Sequence, residues 1–115
     1  PEALDADTIG QLHPESNGQE IDLTPLAQDV LREYDEARAA EDAARQRRQA
    51  AEARLKQLLG DYERAWVGGR QIRWPTVTTQ RFDVKALKAD HPEIYERYVK
   101  ETTHRRFTVS REGDA

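Results

Sequence analysis

The feature that most restricts this chain is the stretch from Thr24 to Leu59. Its 36 residues hold no glycine, and its one proline, Pro25, falls in the opening turn. At ~1.5 Å per residue a helix of that length is a rod on the order of 54 Å long, longer than a compact domain of this size is wide. The spacing predicts a helix over 24–59, begun by Thr24 as N-cap with Pro25 at the first helical position. Gly60 is the expected left-handed stop. Leu26, Val30, Tyr34, Ala37, Ala44, Ala51, Leu55 and Leu58 recur at intervals of three, four or seven and make one apolar stripe. Alanine holds the middle of that stripe, so the face is shallow: it supplies little burial but lets a second helix come close.

Charge supports the helix. Asp29, Glu33, Asp35, Glu36, Glu41 and Asp42 occupy its first half, and Arg45, Arg47, Arg48, Arg54 and Lys56 its second, an order that complements the helix dipole near the ends. Glu41 with Arg45 and Glu52 with Lys56 are expected i,i+4 pairs worth about 0.2–0.5 kcal/mol each. The basic half reads as a solvated, ion-paired face, with a nucleic-acid surface as its rival.

Charged residues are 35% of the chain and apolar ones 37%, which is too little apolar matter for a large core. An elongated shape or an assembly with partners is expected. The absence of cysteine excludes disulfides, thiolate zinc sites and thiol nucleophiles. No apolar run approaches the ~18 residues of a membrane span, and no signal peptide is visible, so the expectation is a soluble cytoplasmic protein with no membrane partner. The chain starts at Pro1 and has no methionine, which reads as a piece trimmed from something longer. Its net charge of −4 is unevenly spread. Up to Thr24 there are acids and no Lys or Arg, whereas from Arg70 onward ten Lys and Arg face seven Asp and Glu. An anionic ligand at the C-terminal end is therefore compatible with the acidic total.

Residues 1–23 read as an extended acidic lead-in with one helical turn near Asp7 to Leu12. After Gly60 the period changes to two. Tyr62 to Val67, Gly68-Gly69 and Arg70 to Trp74 form a hairpin signature, the glycines serving a two-residue turn. That turn pairs Val67 with Arg70, Trp66 with Gln71, Ala65 with Ile72 and Arg64 with Arg73. One face then carries Ala65, Val67, Ile72 and Trp74, and the other Arg64, Trp66, Gln71 and Arg73. Beyond Pro75 an extended Thr-rich segment leads to Asp83, the expected cap of a short helix from Val84 to about Ala89, and Pro92 opens another. Thr103 to Ser110 alternates, with Phe107 and Val109 on one side, and is expected to be a third strand. The fold class is thus α+β: one long helix, then a small antiparallel sheet of about three strands with two short helices. The organisation expected is 1–23 lead-in, 24–59 helix, 60–110 small α+β domain and 111–115 frayed tail. Ala65, Ile72, Trp74, Phe107 and Val109 should pack on Leu87, Ile94, Tyr98 and on Leu55, Leu58 and Leu59.

The sequence converges on no active site. His13, His91 and His104 sit on unrelated elements, and Asp83-Val84-Lys85 echoes a metal-nuclease signature by only two residues, so no catalytic or metal-binding residue is expected. The informative feature is the polar face of the hairpin, where two arginines flank a tryptophan. Like charges opposite one another on a ladder are unfavourable unless an acid or an anion relieves them. A phosphate backbone would do so, as would an intramolecular acid or solvent. Candidate DNA-binding residues are Arg64, Trp66, Arg70, Arg73, Arg105 and Arg106.

Several segments carry a resemblance: Leu58-Leu59-Gly60-Asp61, the Gly68-Gly69-Arg70 turn leading to Ile72-Arg73-Trp74, Arg81-Phe82-Asp83, Tyr95 to Tyr98, and Thr103-His104-Arg105-Arg106-Phe107-Thr108-Val109. Together they resemble the C-terminal region of YqaJ-like viral recombinases, phage-type exonucleases related to the lambda exonuclease. The lead-in, with His13-Pro14-Glu15 and Ile21-Asp22-Leu23 before a long charged helix, is similar in layout, so the resemblance spans nearly the whole chain. It implies a parent enzyme of phage or prophage origin, acting in a bacterial host, that degrades double-stranded DNA ends for recombination with magnesium held by acids. Those acids would lie in a nuclease core absent from this chain, so no catalytic role and no cofactor transfers to it. What transfers is an accessory, non-catalytic role, with DNA, the nuclease core, a sister subunit or the phage annealing protein as partners. The rival reading is a protein-interaction or oligomerisation module in which the alanine stripe pairs with another helix.

Overall fold

The computed structural model describes residues 4–111, in the element order α1 (Ala6–Leu12), α2 (Gln28–Leu59), β1 (Arg64–Val67), β2 (Arg70–Arg73), α3 (Val84–Asp90) and α4 (Pro92–Tyr98). The fold is α+β, with one long helix, short helices and a two-stranded antiparallel sheet. The chain divides into two compact units, Asp22–Arg81 and the described parts of Pro1–Ile21 with Phe82–Ala115.

In the first unit the long helix starts at Gln28, with Ala27 as its cap and no side-chain cap bond, rather than at Thr24. The Asp22 carboxylate accepts the Thr24 N–H at 2.9 Å, and Leu23 C=O takes the Ala27 N–H at 2.9 Å, so 22–27 is a turn of its own. Thr24–Pro25 is a cis peptide. At the other end Gly60 stops the helix as expected, its N–H donating to Lys56 C=O. Its φ of 56° and ψ of −121° lie in the mirror of the extended region, open to glycine, and not in the left-handed helical well.

Ion pairs along α2 run mostly at i,i+3: Asp29 with Arg32 at 3.1 Å, Asp35 with Arg38 at 3.4 Å, and Asp42 with Arg45. Arg45 thus takes Asp42 and not Glu41, while Glu52 and Lys56 pair at 3.4 Å as their spacing foretold. Of the helix only Leu59 is buried. Leu26, Val30 and Leu58 stand in the open, so the stripe is real in period but is not a core.

The hairpin has the register the two-residue turn dictates. Only Gly68 of the glycine pair has positive φ, at 60°, the pattern of a type II′ turn. Ala65 and Ile72 are half-buried. Trp74, on the same side of the ladder, is 46% exposed and not a core residue; the Lys56 ammonium lies 5.0 Å from its ring centroid. That contact, with Tyr62 N–H donating to Leu59 C=O at 3.0 Å, ties the apolar side of the hairpin to the C-terminal end of α2.

In the second unit Asp5 caps α1 through Thr8 N–H at 2.7 Å, and Asp83 caps α3 through Ala86 N–H at 3.0 Å. These are the same device, a carboxylate satisfying an orphan N–H. Accepting that bond holds the Asp5 carboxyl below its ordinary value, and the Thr24 N–H does the same for Asp22. His91 ends α3 and begins α4, packing the two as a helical hairpin in which Leu87 and Tyr95 are half-buried and Lys88 lies 5.2 Å from the Tyr95 centroid. Tyr98 and Phe107, expected inside, are exposed.

Thr103–Ser110 is no third strand: among the described residues the sheet has two. Alternation assigns faces to a segment but does not supply a partner edge. This segment is anchored in its own unit, where the Arg105 guanidinium donates to His13 C=O at 2.9 Å.

Candidate nucleic-acid interface

The hairpin's polar face is built by its register. The Trp74 N–H donates to Glu63 C=O at 2.8 Å, which fixes the alternation of the ladder. Arg64↔Arg73 and Trp66↔Gln71 are then both non-hydrogen-bonded pairs, the kind whose side chains lie closest across the strands. From Arg64 to Arg73 the sequence has three arginines and no acid. Among the described residues neither Arg64 nor Arg73 has an ion pair or a side-chain hydrogen bond, and Trp66 is 65% exposed. Like charges directly opposite one another on a ladder are destabilising, so the pair stands ready to gain from an anion that neutralises it.

The structure brings together Arg64, Trp66 and Arg73 with Gln71 beside them. Arg70 pairs with Val67 next to the turn and belongs to the opposite, apolar side. Arg105 and Arg106 lie in the other unit, and Arg105 is engaged by His13 C=O. Sequence reasoning missed the seat of Lys56 on Trp74 and the bond of Arg105 to His13, since residues so far apart in the chain share no periodic signal. Among the described residues no group of His, Asp and Glu could hold a metal ion, and no helix is long and apolar enough to cross a membrane.

Comparison with known proteins adds one relation. Over 93 residues the chain is 30% identical to the uncharacterized protein YqaJ of Bacillus subtilis strain 168. It is distantly and partly related to YqaJ-like proteins. The aligned stretch takes in 81% of this chain but 29% of that protein, so the chain spans under a third of its relative. No family model and no solved structure matches it.

Proposed function

We propose that this chain is a non-catalytic accessory region of a phage-type DNA exonuclease or recombinase and that it contacts DNA through the hairpin face of Arg64, Trp66 and Arg73. The observation that carries the reading is the directly opposed, acid-free arginine pair beside an exposed indole. Such a surface fits a phosphate backbone better than an acid-bearing segment of the same fold, because no acid lies between Arg64 and Arg73. The partial relation to YqaJ and the resemblance to viral recombinases supply the setting. In that setting magnesium and the hydrolytic step belong to a nuclease core elsewhere in the parent, with that core or a phage annealing protein as further partners.

Fluorescence anisotropy with labelled DNA at low salt tests this. Binding that is lost in Arg64→Ala/Arg73→Ala is the expected result; no binding by the unaltered chain would sink the reading. A second reading has one observation in its favour: Val30, Leu31 and Leu58 leave much of the apolar side of α2 exposed, as a helix awaiting a partner helix would. Sedimentation at tens of micromolar separates the two, since self-pairing through α2 gives a dimer and the DNA reading does not require one.

A further inference from the structure

We infer that the hairpin face takes single-stranded DNA, with one base stacked on Trp66 and the flanking phosphates held by Arg64 and Arg73. This deepens the DNA-contact reading above and rests on it.

The ladder makes the case. Trp66 and Arg64 are two apart on β1 and so share a face, and Gln71 and Arg73 lie across from them in the two close, non-hydrogen-bonded pairs. The indole therefore stands beside the arginine pair on the two-stranded ladder, and it is 65% exposed. An indole offers one hydrogen-bond donor and no acceptor, which is poor equipment for reading base edges in a groove. It offers a broad π-face, which is good equipment for an unstacked base. In duplex DNA the base faces are covered by their neighbours except at an end, so this surface would leave its largest side chain unused there. In a single strand every base face is accessible, and cations beside the aromatic follow the backbone. The turn favours this geometry: Gly68, at φ 60°, and Gly69 present no side chain at the tip, so a strand can pass over the hairpin next to Trp66.

The other aromatic on the hairpin does not offer the same surface. Trp74 faces the opposite side, where the Lys56 ammonium lies over its ring.

The test is a titration of the 115-residue chain with a labelled oligo-dT of about 12 nucleotides, inside the ~4–16 nucleotide range of single-strand sites, and with a labelled blunt duplex of equal length, affinity being read by fluorescence anisotropy and stacking by tryptophan fluorescence. The expected result is quenching and tighter binding by the single strand. Trp66→Ala should weaken single-strand binding about 5- to 150-fold, the equivalent of losing one stacked base, while Trp66→Phe keeps most of the affinity and loses the quench. Circular dichroism of Trp66→Ala confirms that the variant is folded. Duplex binding equal to or tighter than single-strand binding, with Trp66→Ala neutral, overturns the inference and leaves the DNA-contact reading standing. No binding to either DNA removes both.

Discussion

Trp74→Ala probes the platform on which the candidate interface stands. Fully burying a tryptophan removes on the order of 200 Å² from water. Trp74 is 46% exposed, so about half of that area, roughly 100 Å², is covered by the fold. At about 25 cal/mol per Å² this comes to ~2.5 kcal/mol, and a compact unfolded chain lowers it to ~2 kcal/mol. The Lys56 ammonium above the ring adds about 0.5 kcal/mol, as such contacts do near the surface. Truncation should therefore cost about 2–2.5 kcal/mol, less than the 3–5 kcal/mol typical of a fully buried aromatic. Urea unfolding followed by far-UV circular dichroism reads the loss as a lower midpoint at an unchanged slope. A change below about 0.5 kcal/mol, the level of an ordinary surface substitution, would refute the claim that Trp74 fastens the hairpin to α2.

Three further outcomes follow from local geometry. Gly68→Ala places a Cβ at φ 60°, where nothing lies within 4 Å to clash with it, so the cost is backbone strain alone, about 1–2 kcal/mol, while Gly69→Ala costs much less; paired melts measure the difference. Asp83→Ala removes the carboxylate that accepts the Ala86 N–H and should cost about 0.5–2 kcal/mol, seen as faster amide hydrogen exchange confined to α3 and its neighbour α4. Asp5 and Asp22 have carboxyls held below the ordinary value of 3.8, so the α1 cap at Asp5 and the turn bond at Asp22 are in force above that pH and are lost as pH falls through the lowered folded values. The Thr8 and Thr24 amide resonances should move with midpoints below 3.8, and midpoints at or above it would contradict these two carboxylate bonds.

Much of this fold is local, and the local parts are legible in the residues. The stop at Gly60, the cap at Asp83, the opening of α4 at Pro92 and the whole register of the hairpin follow from turn and cap chemistry acting over two to four residues. The register in turn placed Arg64, Trp66 and Arg73 on one face. What the sequence left open depends on competition or on distance. Thr24 has cap chemistry, but the neighbouring Asp22 carboxylate takes its N–H and the chain turns before α2 begins. Glu41 and Asp42 are both one helical turn before Arg45, and the three-residue spacing wins. Thr103–Ser110 has the alternation of a strand and no ladder, because alternation says nothing of which edge is vacant. Phe107, Tyr98 and Leu58 have apolar character without burial, as a chain with 37% apolar residues cannot cover them all.

The central claim, that the opposed arginines hold phosphates, is tested most directly by the salt dependence of binding. The dissociation constant of the 115-residue chain for an oligonucleotide is measured across a series of salt concentrations, beside Arg64→Ala/Arg73→Ala. If each arginine neutralises one phosphate, the logarithmic slope of the double variant is shallower by about 1.4 on a single strand or about 1.8 on a duplex. Equal slopes for the two proteins would show that the arginine pair touches no phosphate and would contradict the account.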